Sequence, residues 1–242
     1  MPSFRQTWIV MAAVFAAATL AARAEAIEVS GITEPLMDVT IGLADPGIIH
    51  RQFFNEGDFV KKGDVILELD KQLETLEVAR RKAVMDEDKM ILDSTRQLAE
   101  TTKSVSKEDL AKAQADYDVA AAQYGTAVQQ LADRQLVAPF SGFIVKVLLR
   151  PGAPVAPYQP LVRLVDTSRC YFIGHLPGPE AGNLRLDEPV TVALDGGRTV
   201  SGKICFISPV VDAASGLARI KAIFDNVDGK IRPGVAAKLT VP

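Results

Sequence analysis

The constraint that governs this chain is a short β segment written twice and split apart. Residues 46–70 read PGIIHRQFFNEGDFVKKGDVILELD, and residues 141–165 read SGFIVKVLLRPGAPVAPYQPLVRLV. At one offset of 95 residues, without a gap, Gly47 matches Gly142, Ile49 matches Ile144, Gly57 matches Gly152, Val60 matches Val155 and Leu69 matches Leu164. Arg51 and Lys146 pair without identity, as do Ile66 and Leu161. A segment of this size cannot bury its own apolar face, so the two copies are expected to pack on each other. Whatever lies between them is then extruded from one compact body. Gly57 and Gly152 fall in turn contexts, which points to positive-φ backbone rather than to ligand binding.

The extruded stretch has a different texture. Residues 71–136 hold one glycine, Gly125, and no proline, and Ala, Glu, Lys, Gln and Leu dominate, as in long helices. A break is expected at Thr101-Thr102-Lys103-Ser104-Val105. Ser106-Lys107-Glu108-Asp109 resembles a capping box with Asp in place of Glu, and starts a second helix. That helix carries a 3-4 repeat: Leu110, Ala113, Tyr117, Ala120, Tyr124, Ala127 and Leu131. In the first helix, Leu69, Leu73, Leu76, Ala83, Met90 and Leu98 form the expected stripe, interrupted by Arg80, Glu87 and Ser94. Runs such as RRKAVMDEDK leave too little apolar surface for a helix laid on a core, and favour a projecting antiparallel coiled-coil arm. Each helix of roughly 30 residues would be about 45 Å long.

Residues 27–41 read as one or two short strands, with a break near Pro35. From residue 170 the chain reads as five or more antiparallel strands, with a hairpin signal at Asp195-Gly196-Gly197, and predicts a small barrel or sandwich. At the N-terminus, Arg5 precedes the apolar run Trp8–Ala22 and two A-x-A patterns, the form of a secretory signal peptide over residues 1–26. The run is shorter than the roughly 20 residues of a membrane span. An uncleaved N-terminal anchor at the inner membrane is the alternative.

Much chemistry is excluded. The net charge of −3, with no dense Lys/Arg cluster, argues against nucleic acid as a partner. His50 and His175 lie far apart in the chain, with no neighbouring ligand set. Met37, Met85 and Met90 do not cluster as soft-metal delivery would need. No P-loop, catalytic triad or paired-carboxylate setting stands out. No catalytic, cofactor-binding or metal-binding residue is expected, and the chain is read as a non-enzyme. Cys170 and Cys205 fall in apolar β-like runs and are read as small hydrophobes, although export to an oxidising compartment would permit a disulfide.

A family resemblance is carried by Leu136-Val137-Ala138-Pro139-Phe140-Ser141-Gly142 and the second β copy, and by residues 195–209, which end Cys205-Phe206-Ile207-Ser208-Pro209. Val211-Asp212-Ala213-Ala214-Ser215-Gly216, Phe224-Asp225-Asn226 and Arg232-Pro233-Gly234 extend it. These segments resemble the periplasmic adaptor subunits, or membrane fusion proteins, of bacterial efflux and secretion systems. The branch most alike serves resistance–nodulation–division (RND) pumps and is related to the hemolysin secretion protein D family. The fold class this implies is mainly β with a long α-helical hairpin. A split lipoyl/biotinyl-like β domain is interrupted by an antiparallel coiled coil and followed by a small β-barrel. The expected parts are an N-terminal strand segment at 27–41, half-lipoyl at 42–70, hairpin at 71–137, half-lipoyl at 138–166 and barrel at 167–242. Lipoyl carriers present a modifiable Lys at the turn joining the halves. Here the hairpin replaces that turn, and Lys71 opens a helix.

The resemblance implies an adaptor, commonly a hexamer, linking an inner-membrane transporter to an outer-membrane exit duct across the periplasm. An RND transporter is favoured and an ATP-driven (ABC) one is the alternative. Duct-docking members carry Arg, Leu and Ser around the hairpin tip. Here Arg96 and Ser106 take those places at a spacing one residue short, with Gln97 where the paired Leu is expected, Leu98 next, and Thr101, Thr102, Lys103, Ser104 and Val105 between. Barrel turns at Pro177, Gly178, Pro179 and Glu180, and at Asp212, Ala213, Ser215 and Gly216, are expected to face the transporter or a neighbouring protomer. Many members continue past the barrel into a membrane-proximal domain, which this chain is expected to lack or to reduce to residues 27–41. A non-transport periplasmic scaffold on the same fold is the alternative function.

Overall fold

The computed structural model describes residues 27–102 and 105–241. The expected signal peptide, Lys103 and Ser104 lie outside the described residues. The chain divides into two compact units. One holds residues 35–169 and 227–231; the other holds 170–226 and 232–242 together with the segment up to Glu34.

In the first unit the two β copies have the same anatomy. The first gives β2 (Gly47–Gln52), β3 (Phe59–Val60) and β4 (Val65–Leu69). The second gives β6 (Gly142–Val147), β7 (Pro154–Val155) and the start of β8 (Val162–Pro177). The copies exchange strands. β2 pairs with β7, Gly47 opposite Val155, and β6 pairs with β3, Gly142 opposite Val60. Each copy also has a bulge at the same place, between Ile49 and Arg51 and between Ile144 and Lys146. Matched side chains fill one core: Ile49 and Ile144, Val60 and Val155, Ile66 and Leu161, and Leu69 and Leu164 are all buried. Neither copy closes this core alone, which is why the repeat must pair. β5 (Gln135–Val137) then extends the β4 edge.

The hairpin consists of α1 (Gln72–Thr102) and α2 (Lys107–Ala132). Ser106 caps α2: its Oγ accepts the Asp109 N–H at 3.0 Å and donates to Asp109 Oδ2 at 2.7 Å. On α2 the expected seam faces inward, with Ala113, Ala120 and Ala127 buried at heptad spacing and the larger seam residues half-buried. On α1 the expected stripe is corrected. Leu73, Leu76, Met90 and Leu98 are 50–77% exposed, and Leu69 belongs to β4. The inward face is instead Glu74, Val78, Arg81, Met85, Asp88, Leu92 and Thr95, with only Leu92 fully buried. The alanine ladder of α2 leaves room for long polar side chains, whose stems pack while their heads reach partners across the seam. Arg81 reaches Gln123 in this way, and Arg134 reaches Glu74.

The second unit is a six-stranded barrel. Its strand order is β1 (Ile27–Ile41), β12 (Ala236–Val241), β9 (Pro189–Leu194), β10 (Thr199–Ile207), β11 (Leu217–Asp225) and β8, and a β1–β8 pairing closes it. β1 is one continuous strand through Pro35 rather than two short ones. Alternating residues face the barrel core, as in β11, where Ala218, Ile220, Ala222 and Phe224 are buried. Among the described residues no helix is long and apolar enough to cross a membrane.

Candidate functional site

The hairpin tip is built from a helix end and a helix start. Thr101 Oγ1 donates to the Gln97 carbonyl at 2.8 Å, so its hydroxyl is spent on its own helix. Arg96 Nη2 donates to Gln114 Oε1 at 3.2 Å, which ties α1 to α2 just below the tip. Leu98 is 50% exposed and Val105 is half-buried. Ser106 is exposed but committed to its cap. Among the described residues the hairpin end is thus pinned by its own bonds, with Leu98 as its exposed apolar side chain.

The second candidate surface lies on the barrel. After β8 the chain enters α3 (Gly178–Ala181), with Pro177 as the preceding residue and Ala181 buried. The loop at 212–216 is organised by one carboxylate. Asp212 Oδ1 accepts the backbone N–H of Ser215 at 2.8 Å, the Ser215 hydroxyl at 2.8 Å and the Ala214 N–H at 3.2 Å. These donors, led by the Ser215 N–H, hold the Asp212 carboxyl below the usual carboxylate range. The structure joins the two predicted loops. The Gly178 N–H donates to the Gly216 carbonyl at 3.3 Å, and Val211 packs beside Gly178. Pro177, Pro179, Glu180, Asp212, Ala213, Ser215 and Gly216 are exposed around this junction. Sequence reading missed Val210 and Val211, 70% and 45% exposed, which give the junction its apolar content. Two exposed valines before an Asx-type turn were the available signal.

The residues weighed for chemistry are placed as follows. His50 and His175 are exposed, and Cys170 (buried) and Cys205 (exposed) are not joined by a disulfide. Lys71 pairs with Glu68 Oε2 at 2.6 Å. Among the described residues no three of His, Cys, Asp and Glu gather as a metal site. An open polar hollow is lined by Gln52, Asn55, Glu56, Val147, Arg150 and Pro151. These are the same three positions of each β copy, and Glu56 Oε1 accepts the Val147 N–H there.

Residues 175–242 match the family model described as the CusB-like, beta-barrel domain. An uncharacterized protein of Haemophilus influenzae is 27% identical over 220 residues, covering 89% of this chain and 57% of its own length. The chain thus spans little more than half of that relative. Among solved structures, a MacA–MexA chimeric protein containing the Pseudomonas aeruginosa MexA α-hairpin domain superposes with a TM-score of 0.76 at 19% identity, over 89% of this chain and 78% of that one. The membrane fusion protein Spr0693 from Streptococcus pneumoniae gives 0.70 at 18%, over 89% and 98%. Likeness at this identity speaks for the fold, and the family-model match identifies residues 175–242 as similar to the CusB-like, beta-barrel domain.

Proposed function

We propose that this chain is a periplasmic adaptor that joins an inner-membrane transporter to an outer-membrane exit duct, without performing chemistry itself. The observation that carries the proposal is the hairpin's place in the chain. Both of its ends are rooted in one closed β body, and its two helices pack on each other, which leaves the tip free for a partner. The tip, from Arg96 and Leu98 to Val105 and Ser106, serves the duct. The joined barrel loops, with Glu180 and Asp212 flanking Val210 and Val211, serve the transporter. The CusB-like barrel match supports a transporter of the RND class.

The outward stripe of α1 supports self-association. Leu73, Leu76, Met90, Ile91 and Leu98 are all at least half exposed and run from the root of the helix to its tip. A cover for that stripe must accompany the hairpin along its length, and a second copy of the hairpin has that length. A homo-oligomeric ring, with six copies as the working number, is the arrangement proposed.

The test is affinity purification from cross-linked, detergent-solubilised envelopes, with co-purifying proteins identified by mass spectrometry. A polytopic inner-membrane transporter in the eluate supports the adaptor. Recovery alone, or with cell-wall components only, favours a scaffold.

A further inference from the structure

At the root of the hairpin one guanidinium joins two separate stretches of chain to its own. Arg134, just past α2, donates from Nη1 to the Pro46 carbonyl at 2.6 Å and pairs through Nη2 with Glu74 Oε1 at 2.7 Å. Its own carbonyl accepts the N–H of Leu69, the last residue of β4, at 2.9 Å. Glu74 is in the first turn of α1, and Pro46 immediately precedes β2. The two side chains of the pair are only 21% and 18% exposed. Other ion pairs on the hairpin are different in kind. Glu77–Arg80 and Lys82–Asp86 lie within α1 and are far more exposed. They brace one helix along its own length, whereas Arg134 fastens that helix to the β body. A planar fork lets one side chain serve two acceptors, which a lysine head cannot do with the same geometry. The Nε of Arg134 is buried without a hydrogen-bond partner, so the group is committed to these two acceptors and not to full satisfaction.

We propose that Arg134 is the positioning residue of the hairpin. The Pro46–Arg134–Glu74 latch sets the angle at which the helices leave the β body, and so sets where the tip is presented. The lever is long. α1 has 31 residues, about 46 Å at the helical rise, so a rotation of about 10° at the root moves the tip by about 8 Å. That exceeds the reach of a side-chain contact, and tip contacts therefore depend on a fixed root. The neighbouring Lys71–Glu68 pair spans only the short β4–α1 connection and cannot replace the latch. The consequence for docking rests on the adaptor reading; the latch itself does not.

The test uses the full chain with Cys205→Ser, spin-labelled at cysteines replacing Glu108 near the tip and Lys61 on the β body, both exposed positions. Electron–electron double resonance reads the distance between the labels. The expected result is one narrow distribution in this background, and a width at least doubled in Arg134→Gln and in Glu74→Gln. Arg134→Lys, which keeps the charge but not the fork, should fall between. Unchanged circular dichroism at 222 nm separates a loosened root from an unfolded one. Should Arg134→Gln fail to fold, the milder Glu74→Gln decides. Distributions in the folded variants with the width and mean of the background would overturn the proposal. Widened distances with undiminished export would leave the latch standing and count against docking through the tip.

Discussion

Gly57 and Gly152 stand 95 residues apart and make the same bond: the Gly57 N–H donates to the Ile144 carbonyl and the Gly152 N–H to the Ile49 carbonyl, each at 2.8 Å. Their φ values are +93° and +89°, and a Cβ on either would meet nothing within 4 Å. The backbone conformation alone then demands glycine. Gly57→Ala and Gly152→Ala should each destabilise the lipoyl-like unit by about 1–2 kcal/mol, and by similar amounts, as read by urea denaturation. Gly31→Ala is the contrast. Its Cβ would lie 2.1 Å from the backbone oxygen of Ile173, so the barrel unit should fail to fold or shift visibly by circular dichroism.

The turned face of α1 has a direct test. Leu92 is 3% exposed in the hairpin seam, while Leu76 is 62% exposed. Leu92→Ala should cost about 2–3 kcal/mol, whereas Leu76→Ala in the dilute, unassembled protein should stay within about 0.5 kcal/mol of wild type. Equal effects in thermal melts would restore the stripe expected from sequence as the seam.

The cap at Ser106 should be worth about 1 kcal/mol to α2. Ser106→Ala is expected to lose it and Ser106→Asp to keep most of it. Amide exchange over residues 107–113 reads the difference, because fraying starts at the uncapped end.

Acid should loosen the first half of α1. Hydrogen bonds from Arg80 and then Arg81 hold the Glu77 carboxyl down to about 2, below its ordinary value of 4.5. A carboxylate with a depressed folded-state pKa contributes its stability above the unfolded value and loses it as pH falls through the folded one. Ellipticity at 222 nm should therefore decline between about pH 4.5 and 2, and Glu77→Gln should remove that part of the decline. A profile unchanged by the substitution would mean the exposed pairs contribute nothing.

The two thiols should behave unequally. Cys170 is fully buried, and burial pushes the Cys205 thiol above its usual value, so little thiolate forms at neutral pH. Iodoacetamide at pH 8 should add one adduct slowly, at Cys205, and two after denaturation. Mass spectrometry showing no free thiol in the native protein would instead indicate an intramolecular bond and contradict the structure.

The repeat was legible because matching β copies carry their glycines and core aliphatics at one constant offset, and the start of the second helix was legible from Ser106, with a single glycine and no proline across residues 71–136. The inward face of α1 was not. Hydrophobicity pointed to Leu73 and Met90, but the register was decided by α2, whose alanines admit Arg81 and Glu74 into the seam. For the barrel surface, the two turns could be named from local signals. Their junction through Gly178 and Gly216, and the exposed Val210, depend on strand pairing that no local pattern carries. Arg134 was invisible for the same reason: its partners Pro46 and Glu74 are distant in sequence and brought together only by closure of the β body.

The adaptor account is tested most directly by site-specific photo-crosslinking in intact cells, with a photoreactive residue at Val105 in the tip and another at Glu180 in the barrel loops. The account expects Val105 to capture an outer-membrane channel protein and Glu180 to capture a polytopic inner-membrane transporter or a second copy of the chain. Capture of neither membrane's transport proteins from either position, with the labelled protein folded and exported, would contradict it.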